Sequence, residues 1–122
     1  MGKRIVVIGA AALVVGFGMA AGSGAAEPWR ADQVIEPAEL ARVLTTSHAK
    51  KPALLYVGFP LLYAGGHIPG SVYVGPTMRP EGLEALKGAV QKLPKDAAVV
   101  IYCGCCPMER CPNVRPAFRL IE

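Results

Sequence analysis

Ala97-Ala98-Val99-Val100-Ile101-Tyr102 is an uncharged apolar run rich in β-branched residues, and Cys103-Gly104-Cys105-Cys106-Pro107-Met108-Glu109-Arg110-Cys111-Pro112-Asn113 follows it directly. The run has the length and composition of a strand covered on both faces. Gly104, Pro107 and Pro112 stop any regular element from continuing. A loop dense in thiols therefore leaves the end of an interior strand, and Asn113 is placed to cap a last helix in which Pro116 costs no hydrogen bond.

Working back from this strand, Pro80 opens a helix whose apolar face is Leu83, Leu86, Val90 and Leu93, ended by Pro94-Lys95-Asp96. Ser71–Val74 is a short strand. Pro60–Ala64 is one helical turn ended by Gly65-Gly66, and Ala53–Val57 is a short buried strand. Leu40, Val43 and Leu44 recur at helical spacing behind Pro37, which predicts a helix over 37–47 after a strand at Gln33-Val34-Ile35. Strands alternating with helices imply an α/β fold with a mostly parallel sheet and helices on both faces. Ligands of such sheets lie beyond the carboxyl ends of the strands, the edge from which the cysteine loop departs.

The whole chain is 122 residues, 52% hydrophobic, with 14 Gly, 11 Pro and a net charge of +4. That limits it to one domain and excludes a disordered polar chain. It lacks the Lys/Arg stripe of a nucleic-acid binder. Met1-Gly2-Lys3-Arg4 is a short basic start, Ile5–Ala20 is apolar and uncharged, and Ala21–Ala26 are small residues. This pattern reads as a signal peptide over 1–26, cut after Ala25 or Ala26, which leaves a domain over 27–122. The expectation is an exported, periplasmic or secreted protein with no stable membrane insertion after cleavage. The apolar run is shorter than the roughly 20 residues a spanning helix needs.

The loop holds all four cysteines. A thiol between a strand end and a helix N-terminus meets backbone N–H groups and the helix dipole, which favour the thiolate. Arg110 adds a cation that keeps its proton, and Gly104 permits close approach of a ligand. Cys103 or Cys105 is the candidate nucleophile and Arg110 the candidate anion-binding group. Gly104, Cys106, Met108, Glu109 and Cys111 are candidates for lining the substrate. Two other uses of the sulfurs stand beside this one. Four thiols allow three full disulfide pairings. Cys103, Cys105, Cys106 and Cys111 together also suit zinc or copper(I), although C-x-C-C-x4-C does not split into the two arms usual for structural zinc.

Three stretches resemble the rhodanese-like sulfurtransferase domain: Ile35-Glu-Pro-Ala-Glu-Leu40; Leu54 to Ser71, of which His67-Ile68-Pro69-Gly70 is the most specific part; and Val99-Val-Ile-Tyr-Cys103. The resemblance covers about residues 33–122. It implies a small rhodanese-like domain without cofactor that moves a sulfane sulfur from a small anionic donor such as thiosulfate, through a cysteine persulfide, to a thiophilic acceptor. His67, Gly70 and Asn113 are then structural. The chain departs from the family in three ways. Tyr56-Val57-Gly58 stands where the family has Asp-Val-Arg. The family's C-x4-R spacing to Arg110 holds from Cys105, although the strand points to Cys103; the C-x5-R of the phosphatase relatives occurs from neither. The chain stops at Glu122, where the family normally adds a strand and a helix, so a truncated domain or a sheet with an open position is expected. The alternative is a non-enzymatic metal-binding or thiol-redox module on the same fold.

Overall fold

The structure, a computed structural model, describes residues 5–8 and 26–122. Its strands are β1 (Ile5–Ile8), β2 (Val34–Ile35), β3 (Ala53–Tyr56), β4 (Val72–Tyr73) and β5 (Val99–Tyr102). Its helices are α1 (Pro37–Thr45), α2 (Pro60–Gly65), α3 (Pro80–Gln91) and α4 (Val114–Ile121). The strands form one parallel sheet in the order β2-β1-β5-β3-β4. The chain therefore belongs to the α/β class, and its central strand delivers the cysteine loop.

Most of the stretch read as a signal peptide lies outside the described residues. Within it, Ile5–Ile8 fill the position between β2 and β5, with Val7 opposite Val34 on one side and Ile5 opposite Val99 on the other. The expected open position in the sheet is thus occupied, by a four-residue segment of β-branched residues that suits an interior parallel strand.

Helix starts follow proline. Pro37, Pro60 and Pro80 each stand in the first turn, and none of the preceding residues supplies a side-chain cap. The fixed φ of proline matches the helix, and its missing N–H is one that has no partner there anyway. The helices end a few residues earlier than the apolar pattern suggests, α1 at Thr45 and α3 at Gln91. Gly70 takes φ +84°, a left-handed conformation that a side chain disfavours, and so closes the His67–Gly70 turn.

Alternation along β3 and β5 divides the core between the two faces of the sheet. Leu55, Val99 and Ile101 pack with Leu86 of α3 and with Val114, Ala117 and Phe118 of α4. Leu54 and Val100 point the other way and pack with Leu40 of α1. Trp29 joins the first cluster through an edge-on contact with Phe118, ring centroids 5.8 Å apart. Tyr102 ends β5 and fixes the 67–71 turn: its hydroxyl accepts the Ile68 N–H at 3.0 Å and pairs with Ser71 Oγ at 2.8 Å.

The segment Gly75–Thr77, which contains the cis Gly75–Pro76 bond, packs backbone to backbone against its neighbours. A Cβ on Gly82 of α3 would collide with the Pro76 carbonyl. Replacing an interior helical glycine by alanine normally stabilises by about 1 kcal/mol. Here the clash is with backbone rather than with a flexible side chain. Gly82→Ala is therefore expected to destabilise by about 1–3 kcal/mol, the range for overpacking. Urea denaturation compared with Gly88→Ala, where a Cβ would meet open space, checks the reversal of sign.

Candidate functional site

β5 ends at Tyr102, and the loop turns through a 3-10 segment at Met108–Arg110 before α4 begins. This gathers all four sulfurs. Cys105 Sγ lies 2.8 Å from Cys106 Sγ, 3.2 Å from Cys103 Sγ and 3.8 Å from Cys111 Sγ. Cys105 is thus the centre of the cluster. Cys111 is buried, while the other three are half-buried and none is in a disulfide.

Two residues beneath the loop explain where Cys103 rests. A Cβ on Gly58 would lie 2.6 Å from Cys103 Sγ and 2.8 Å from Tyr56 Oη. Glycine at 58 leaves that volume to the sulfur. Tyr56 is buried, and its hydroxyl has no hydrogen-bond partner among the described residues.

Asn113 holds the loop from the other side. It is fully buried and precedes α4, but its side chain does not cap the helix. Its Oδ1 instead accepts the Met78 N–H at 3.0 Å, its carbonyl accepts the Thr77 hydroxyl at 2.6 Å, and its Nδ2 approaches Cys103 Sγ at 3.8 Å. The capping expectation fails because the side chain bridges the two loops that frame the sulfurs.

The model of the rhodanese-like domain family matches residues 37–109. This chain belongs to the rhodanese-like family. No curated protein and no solved structure matches it. The match runs from α1 into the 3-10 turn and includes Cys103, Cys105 and Cys106. Cys111 and α4, which close the rhodanese-like site here, follow it.

The electrostatics of the site depend on Cys111. The neighbouring Cys103 thiol and the N–H groups of Asn113 and Val114 hold Cys111 down to about 5, against the opposing effect of burial. Cys103 is pushed up in turn, first by keeping its proton beside the Cys111 sulfur and then by burial. Burial and its sulfur neighbours push Cys106 up to about 12. Burial, and then the proximity of Cys103, push Tyr56 up to about 12, so its hydroxyl stays a donor. Cys111 is thus the sulfur of the cluster whose surroundings favour the thiolate, through two amides at the start of α4 and one thiol.

Arg110 does not join this arrangement. It is exposed at the end of the 3-10 turn, and its guanidinium makes no hydrogen bond or ion pair among the described residues. Cys111 turns into the core immediately after it, so the preceding side chain faces out. The guanidinium that fixes the loop belongs to Arg115, which donates to the Glu109 carbonyl at 3.3 Å, pairs with Glu27 at 3.0 Å and lies 5.9 Å over the Trp29 ring. Glu109 is exposed and Met108 packs on the core, while Gly104 is exposed at the loop's tip. His67 is also exposed. It stacks on Tyr63 at 3.7 Å and pairs with the Tyr63 carbonyl at 2.8 Å, within its own turn. For a soft metal, the sulfurs of Cys103, Cys105 and Cys111 lie within 4.8 Å of one another. That is three of the four thiolates a closed zinc site takes.

Cys111 has an ordinary value of 9.0 and a folded value of about 5. Its contribution to stability is fully present above the unfolded value and is lost as pH falls through the folded one. The raised thiols act only above their ordinary range, and the lowered carboxylates of Asp32 and Asp96 titrate below it. Stability to urea is therefore expected to fall between about pH 8 and pH 5 in the reduced protein, and Cys111→Ser to flatten that slope. The ultraviolet absorbance of the thiolate should titrate over the same acidic range and lose that step in the variant.

Proposed function

We propose that this protein is a sulfurtransferase that carries a sulfane sulfur as a persulfide on Cys103. The observation that carries this reading is the placement of the Cys103 sulfur, at the carboxyl end of the central strand and within 4.8 Å of the Cys111 sulfur, whose surroundings favour the thiolate. Transfer then proceeds in one displacement. Cys103 Sγ attacks the outer sulfur of a thiosulfate-like donor, its proton passes to the Cys111 thiolate, and sulfite leaves with the bonding pair. The persulfide is left against Gly58 and Tyr56, whose hydroxyl has a free proton to offer a sulfur anion. Three of the four thiols are half-buried, so a small anion reaches the cluster from the loop side rather than through the core.

The basic start and the apolar run of the leader-like stretch support export. Processing after Ala25 or Ala26 would also take β1 from between β2 and β5, so the mass of the protein recovered from an exporting cell decides both questions.

Reduced protein incubated with thiosulfate is expected to release sulfite, and to form thiocyanate when cyanide is present to take the outer sulfur of the persulfide. Cys103→Ser should abolish both, and Arg110→Ala should lower the rate by less than about tenfold, since its charge is exposed and screened. Absence of both sulfite and thiocyanate in the reduced wild type would overturn the reading. A stoichiometric zinc or copper ion retained through purification without chelator, and lost in Cys105→Ser, would favour a metal centre on the same sulfurs instead.

A further inference from the structure

The geometry points to a second step: Cys105 resolves the persulfide, so that the loop reduces the sulfane sulfur to hydrosulfide instead of only passing it on. This rests on the transfer reading above and extends it to the fate of the carried sulfur.

A persulfide has two exits. An outside acceptor can take the outer sulfur, or a neighbouring thiol can attack the inner one and expel the outer sulfur as hydrosulfide. The second exit needs a thiol close to the inner sulfur, and Cys105 is that thiol. Its sulfur is 3.2 Å from Cys103 Sγ, against a bond length of about 2.05 Å, so a shift of roughly 1 Å closes the gap. Cys111 is less suited to the role. It is buried and spends its lone pairs on the Asn113 and Val114 amides, while Cys105 is half-buried and touches every other sulfur. Gly104, the single residue between Cys103 and Cys105, is exposed and has open space around it, with only Tyr56 Oη 3.9 Å from where a Cβ would be. A glycine spacer gives the backbone the freedom that such a tight ring demands.

The step balances as written. The Cys105 sulfur bonds to Cys103 Sγ, the bond from Cys103 Sγ to the outer sulfur breaks, and the Cys105 proton leaves with that sulfur as hydrosulfide. Both electrons gained by the sulfane sulfur come from the two cysteine sulfurs, which become a disulfide. An external dithiol of the thioredoxin chemical class must then reopen it for the next turnover. A disulfide across one intervening residue is strained, and strained disulfides are the readily reduced, labile kind. The chain would then consume a thiosulfate-like donor and two reducing equivalents, and would yield sulfite and hydrosulfide.

A single-turnover experiment tests this. Fully reduced, desalted protein is mixed with excess thiosulfate under anaerobic conditions, without cyanide or added thiol. Sulfite, sulfide, free thiols and intact mass are followed together, and the bridged cysteines are identified from peptide masses after alkylation. The wild type should release sulfite and sulfide in equal amounts, drop from four free thiols to two, and carry a Cys103–Cys105 bridge. Cys105→Ser should still release sulfite but accumulate the persulfide, with sulfide below about one tenth of the wild-type yield. The sulfite and the persulfide themselves show that the variant is folded.

If the wild type releases sulfite and keeps its persulfide without sulfide, the resolving step is wrong and the transfer reading stands. A bridge between any other pair also overturns the role of Cys105. If no sulfite forms at all, the transfer reading fails and takes this step with it.

Discussion

The burial of one sulfur gives the cysteine loop its shape. Cys111 is packed in the main core cluster beside Val114, Ala117 and Phe118, and is only 1% exposed. Its sulfur also receives the first amides of α4. A segment that leaves β5 at Tyr102 and must return to the core by residue 111 has room for one tight 3-10 turn and little else. The positions of the other thiols follow. Cys103 stays at the strand end, Cys105 crosses the mouth of the loop between Cys103 and Cys111, and Cys106 lies outward of it. The same constraint turns Arg110 away, because it ends the 3-10 turn on the exposed side just before Cys111 enters the core.

The floor of the site makes the arrangement electrically unusual. Where the family's charged pair would stand there is a tyrosine and a glycine, and neither carries charge. Stabilisation of an anion falls to oriented dipoles: two amides on Cys111, the Asn113 amide near Cys103, and the Tyr56 hydroxyl with no partner of its own. A buried hydroxyl left unpaired costs about 1–3 kcal/mol. That cost is offset whenever a sulfur anion comes within its reach, which ties the orphaned group to the state in which Cys103 carries a charge. Dipoles held by the backbone need no reorganisation when charge appears, so they serve a reacting sulfur better than a long flexible side chain would.

Much of this was legible from residue order. Val99–Tyr102 had to be an interior strand, because nothing in it tolerates water and its neighbours break helices. The prolines at 37, 60 and 80 marked helix starts that no capping side chain announced. Other features were not legible, for identifiable reasons. Ile5–Ile8 belong to an apolar run that suits an export leader and an interior strand equally well, since neither demands a polar period. Asn113 has the right chemistry for a cap, and only the approach of Met78 and Thr77 from a distant loop shows that its side chain is used elsewhere. Arg110 matched a family spacing counted along the chain, but that spacing says nothing of which way a residue points once its neighbour is drawn into the core. Arg115, one turn later, gave no sequence signal because its partners Glu27 and Trp29 lie more than eighty residues away.

A thiolate on Cys111, the state its surroundings favour, opposes the approach of a second anion. Like charges repel, and in the half-buried mouth of the loop water screens them less than at the open surface. Among the described residues the cluster has no buried cation in return, and Arg115 is engaged by Glu27. Oriented amides, rather than arginine or aspartate, are therefore what this neutral floor offers a sulfur anion.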